Sequence, residues 1–170
     1  MSSRVSALWL LFLLLLPAVQ GTAQDARSLY EAGEQALADA QYAATGARFY
    51  DAIELFQRAL DRNPNYREAL VGMAEAYFAL EEYPTALDYA RRARRLGPRA
   101  TVLQNLEARI LLAQGVVEEA RELYQQVLRR EPNNIEARLG ISQLALAGGN
   151  AVQAARDLED LLRRSPDNRR

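Results

Sequence analysis

The chain has 170 residues, nearly half of them apolar and a quarter charged, with a formal net charge of −1. That length suits one folded domain or a short run of repeats, and so small a charge gives no field that draws nucleic acid or an anionic membrane. Cys and His are absent and all 21 basic residues are Arg, which excludes disulfides, thiolate and imidazole metal ligands, a histidine base, and Schiff-base or P-loop chemistry that needs Lys.

Carboxylates, Tyr and Ser/Thr hydroxyls are all that remain for catalysis. The composition therefore argues against an enzyme, and no metal or cofactor is expected. Residues 1–23 have the parts of a secretory signal peptide: Arg4 at the start, a leucine-dominated run from Val5 to Leu16, then Pro17 and small residues. Gly21-Thr22-Ala23 places small side chains where a signal peptidase reads them, so cleavage is expected before Gln24, with cleavage after Gly21 a near alternative. An uncleaved anchor needs about 18 or more apolar residues, and Val5 to Val19 falls short. The reading is an exported chain, periplasmic or secreted, with no membrane span after cleavage. An inner-membrane anchor by an uncleaved signal is the alternative. The short signal and the Arg-only usage point to a bacterial cell envelope.

After the leader, Pro64, Pro98, Pro132 and Pro166 stand 34 residues apart, each closing a run of helix formers. Between them Ala86, Ala120 and Ala154 are in register, as are Ala93, Val127 and Leu161. Gly115 and Gly149 are in register where a helix pair turns, with Glu81 in the same slot. In chain order, residues 24–66 form an irregular first unit. Its second helix runs from Asp51 to Pro64, and Leu29, Ala32 and Gly33 mark a first helix that is longer than usual or followed by an expanded turn around residues 43–46. Units at 67–100, 101–134 and 135–168 follow, with a two-residue tail at 169–170. Residues 86–93 repeat apolar side chains at i, i+3, i+4 and i+7, a helical stripe. Each closing Pro ends its helix. Asn63-Pro64-Asn65 and Pro132-Asn133-Asn134 are turn and cap chemistry.

These landmarks resemble the tetratricopeptide repeat (TPR). Residues 67–100 carry the pattern best, with Leu70, Met73, Ala74, Tyr77, Tyr83, Ala86, Ala93 and Pro98. The second unit departs where Gln104 and Glu107 replace apolar landmarks, and the third keeps Ile141, Ser142, Ala145, Ala154, Leu158 and Pro166 but has Arg138 at a large apolar position. The resemblance implies an all-α, right-handed superhelical solenoid of antiparallel helix pairs, with residues 24–66 as an atypical cap. It also implies a partner groove lined by first helices: Glu68, Val71, Glu75 and Phe78, then Asn105, Arg109 and Leu112, then Glu136, Leu139, Gln143 and Leu146. Some members grip a C-terminal carboxylate with Lys, Arg and Asn there. Glu68, Glu75 and Glu136 take several of those places, so a basic or amphipathic protein or peptide fits better. The last helix keeps Ala155, Leu158 and Leu162 on the side a further repeat would cover. That leaves a homodimer, or a longer parent protein (an enzyme included), as alternatives to a non-enzymatic adaptor of the envelope.

Two charge patterns read as structural. The run Arg91-Arg92-Ala93-Arg94-Arg95, with Arg99, closes a helix where cations complement the dipole, and no aromatic interleaves to stack bases, so no nucleic-acid site is expected. Glu81-Glu82, Glu118-Glu119 and Glu159-Asp160 are sequence neighbours, which point about 100° apart on a helix and cannot flank one bond. No catalytic residue is assigned.

Overall fold

A computed structural model describes residues 25–42, 46–97 and 100–164. The signal-peptide reading, the turn around residues 43–45, Pro98, Arg99 and everything beyond Arg164 lie outside the described residues, as do the side chains of Leu161 and Leu162. All regular structure among the described residues is helical, in the order α1 (25–42), α2 (Gly46–Arg62), α3 (Arg67–Ala79), α4 (Tyr83–Arg95), α5 (Ala100–Ala113), α6 (Val117–Arg130), α7 (Ile135–Ala147) and α8 (Ala151–Arg164). The all-α class that the resemblance implies is what the described residues adopt. The atypical opening unit has two long helices, with 17 residues in α2 against 13 in α3 and α4.

Two compact units divide between Glu81 and Glu82. In the first, α1, α2 and α3 enclose Leu37, Phe49, Phe56, Leu60, Leu70 and Met73, with buried alanines among them. Small side chains let helix axes approach while burial of the large ones supplies the driving force, roughly 1.5–3 kcal/mol for each such side chain. Phe56 is fully buried, and Tyr30 of α1 packs on it at 6.0 Å between ring centroids. In the second unit, α4 through α8 pack consecutively. One cluster there joins Ala108, Tyr124, Val127, Ala137 and Leu144, flanked by Leu112, Val117, Leu123, Leu128 and Ile141.

The turns explain why the register is so regular. Glu81, Gly115 and Gly149 have φ of 61°, 81° and 78°, all in the left-handed region. Each follows a first helix, and each donates its backbone N–H to the carbonyl three residues back: Phe78, Leu112 and Leu146. The residue before each also closes the helix by donating to Ala76, Ile110 or Leu144. These bonds satisfy carbonyls that a helix end leaves open. At the other ends, Asn134 caps α7 by accepting from Ala137 N at 3.0 Å, and Asn63 Oδ1 accepts from Asn65 N at 3.2 Å.

Candidate partner-binding faces

Each unit presents first-helix residues, and the two faces differ in chemistry. In the first unit, Glu68, Val71, Glu75 and Phe78 of α3 are all partly buried rather than fully open. Arg67 Nη2 lies 3.3 Å from Glu68 Oε1. Beside Glu68, Tyr66 stacks at a tilt on Tyr30 of α1, 5.4 Å between centroids. Glu31 and Glu34 are exposed on the same helix as Tyr30. Burial, then the Glu34 carboxylate, raises the Tyr30 phenol well above its ordinary pKa, and burial with Glu68 raises Tyr66. Burial is the larger cause of both shifts, and the neighbouring carboxylates add to it by disfavouring a phenolate.

In the second unit, α5 and α7 bring Asn105, Arg109 and Glu136 together. Asn105 is buried, at 2% exposure, so the structure does not present it as an open groove residue. Its Nδ2 donates to Asn134 Oδ1 at 2.9 Å and to Glu136 Oε2 at 3.2 Å, which makes it a brace between the two helices. Arg109 Nη1 stands 3.7 Å from Glu136 Oε1. Leu139 and Leu146 are open, at 41% and 51% exposure, and Gln143 lies exposed between them. Leu112 is half-buried because it also packs on the Tyr124 cluster. Val102 and Ile135, which the repeat pattern assigns to no site, are exposed apolar residues at the starts of α5 and α7. Of the residues on the possible self-association face, Ala155 is exposed and Leu158 partly buried. Val152 of α8 is an open apolar residue, at 64% exposure.

The Arg run does more than complement a helix dipole. Arg91 Nε donates to Glu107 Oε1 at 2.9 Å, and Arg94 Nε lies 3.0 Å from Glu107 Oε2. Glu107 is 3% exposed. A turn earlier on α5, buried Gln104 donates to Gln126 Oε1 at 3.0 Å and accepts from Arg130 Nη1 at 2.9 Å. The two residues of the second unit that depart from the repeat pattern thus hold α5 to α4 on one side and to α6 on the other. Arg92 instead lies over the Tyr89 ring, 5.3 Å from its centroid. No group of metal-binding side chains is found among the described residues, and no described helix is long and apolar enough to cross a membrane.

Stacked helix pairs with side chains displayed from first helices define a repeat scaffold of the kind that binds other proteins. A sequence model described as Tetratricopeptide repeat matches residues 47–110 and 111–170. The chain belongs to the tetratricopeptide-repeat family, whose members generally mediate protein–protein interaction. It is 32% identical over 116 residues to mouse (Mus musculus) interferon-induced protein with tetratricopeptide repeats 3, covering 66% of this chain and 29% of that protein. It is 26% identical over 109 residues to small glutamine-rich tetratricopeptide repeat-containing protein 2 of Mycosarcoma maydis, covering 64% of this chain and 31% of that protein. The chain thus spans less than a third of either relative. Among solved structures, it is similar to the first TPR of Spaghetti (RPAP3) bound to the HSP90 peptide SRMEEVD, with a TM-score of 0.64 and 25% identity over 75% of this chain and 95% of that one. It also matches a thermophilic TPR protein of Thermus thermophilus, with a TM-score of 0.68 and 22% identity over 90% and 80% of the two chains. The second likeness concerns the fold alone.

Proposed function

We propose that the chain is a non-enzymatic adaptor that holds a basic or amphipathic segment of a partner protein on its first-helix faces, and that it works in a bacterial cell envelope after removal of residues 1–23. The observation that carries the reading is the open apolar strip of Leu139 and Leu146 on α7, beside the Arg109–Glu136 pair. Exposed leucines in a row two turns apart suit an amphipathic segment, because they gain from being covered while the flanking charges fix its direction. The acidic, tyrosine-bearing face of the first unit favours cations. RPAP3's peptide, SRMEEVD, is rich in acids. Glu68, Glu75 and Glu136 stand where a carboxylate-gripping face would need cations, so this chain suits the opposite charge.

The test is selection of binders from a displayed peptide library by the chain from Gln24 onward, repeated with Leu139→Glu/Leu146→Glu. Enrichment of basic amphipathic sequences, lost in a double variant whose helical circular dichroism is unchanged, is the expected outcome. Equal enrichment by the folded double variant overturns the assignment. The export reading is tested by the mass of the protein recovered from the periplasm of an expressing cell, which is expected to begin at Gln24. Exposure of Val152 and Ala155 on α8 favours a second reading, self-association through that helix. Light scattering across a concentration series, with Val152→Asp as the control, decides it.

A further inference from the structure

At two of the places where a second helix meets the first helix of the following repeat, a buried aromatic ring lies against a glycine. At the first such joint, a Cβ added to Gly72 of α3 would lie 2.4 Å from the Phe56 ring of α2, and one on Gly33 of α1 would lie 2.6 Å from the same ring. At the third, a Cβ on Gly140 of α7 would lie 2.3 Å from the Tyr124 ring of α6. The middle joint, between α4 and α5, has the sizes reversed. One repeat after Phe56 and one before Tyr124 stands Ala90, and one repeat after Gly72 and one before Gly140 stands Leu106. Both are buried in helices that pack together. The same joint alone carries a carboxylate, Glu107, held by Arg91 and Arg94; Met73 and Ile141 stand at that position in the other repeats.

We infer that this alternation is an order code, which lets these similar repeats stack only in chain order. Laying α5 in the place of α3 on α2, or in the place of α7 on α6, sets Leu106 against a buried aromatic ring, and overpacking a filled core is unfavourable. Laying α3 or α7 on α4 sets Gly against Ala90 and opens a void the size of a side chain. It also strips Arg91 and Arg94 of their carboxylate. Mispairing and swapping between like units are the characteristic folding failures of repeat chains, so a joint that rejects the wrong neighbour guards against them. A buried carboxylate tied to two half-exposed arginines, where an apolar contact would serve, fits that role because its bonds form in one register alone.

The experiment rebuilds the middle joint in the full chain. Ala90→Phe and Leu106→Gly singly are expected to lower the folding equilibrium constant by more than about tenfold each, and together to recover most of that loss. Losses that simply add overturn the size pairing. With Glu107→Met included, the triple variant makes all three joints alike. After dilution from urea it is expected to form mispaired, swapped species that persist on dilution, at least about tenfold more than the native sequence. A triple variant that refolds as cleanly as the native chain overturns the order code. If the middle-joint variants do not fold, the milder cycle Gly72→Ala with Phe56→Leu replaces them. There Phe56→Leu must relieve the loss caused by Gly72→Ala, and no relief overturns the proposal.

Discussion

Glu81 occupies a position that glycine fills in the next two repeats, and replacing it isolates the backbone contribution of the turn. Its φ of 61° places an L side chain in the left-handed region, where crowding between Cβ and the following carbonyl costs about 1–2 kcal/mol. Glu81→Gly removes that strain but frees the unfolded chain, which offsets about 0.4–1 kcal/mol. The balance predicts a gain of about 0.5–1 kcal/mol. Gly115→Ala is the mirror control. Its φ is 81° and a Cβ there meets nothing within 4 Å, so only backbone strain changes. A loss of about 1 kcal/mol is expected. Urea unfolding of the full chain, followed by helical circular dichroism, reads both as midpoint shifts at constant slope. A Glu81→Gly variant no more stable than the native chain, or a Gly115→Ala variant equal to it, would refute the reasoning.

Three further outcomes are expected. Burial, with the Glu136 carboxylate adding and Arg109 opposing, pushes the Tyr124 phenol up to about 12. The folded state therefore holds that proton more tightly, so its share of stability is full below pH 10 and lost between about 10 and 12. Tyr124→Phe should remove that share of the fall and leave the share of Tyr30 and Tyr66, whose phenols are raised too, as measured by urea midpoints against pH. Glu107→Ala should destabilise by about 1–3 kcal/mol, less than for a wholly buried pair because Arg91 and Arg94 reach solvent. Glu107→Leu should cost less in the same urea titration, since it refills the volume. Asn134→Ala removes the α7 cap and a partner of buried Asn105, for a loss of about 1–2 kcal/mol, read as faster amide exchange in the first turn of α7.

Local backbone chemistry is legible in the sequence; contacts between helices are much less so. Four prolines in step imply helix ends in step, because Pro cannot continue a helix, and the Gly115, Gly149 and Glu81 register marks three turns of positive φ. Asn134 as a cap follows for the same reason. Gln104 and Glu107 are visible only as departures from the repeat pattern. Their partners Arg91, Arg94, Gln126 and Arg130 sit on other helices, and no spacing rule within one helix reaches them. The helical phase of Asn105 points to an open groove residue, yet bonds to Asn134 and Glu136 draw it in. The Phe56–Gly72 and Tyr124–Gly140 pairs do leave a signal, the alternation of Gly72, Leu106 and Gly140 at the repeat period, which only a comparison of joints brings out.

The central claim, a scaffold whose first helices hold a partner segment, is tested most directly by hydrogen exchange on the full chain with and without a basic amphipathic peptide selected from the library. The account predicts slowed exchange in α5 and α7, and in α1 and α3 for peptides rich in Arg or Lys, with α4 and α6 unchanged. Protection confined to the outer helices α4, α6 or α8 would contradict it.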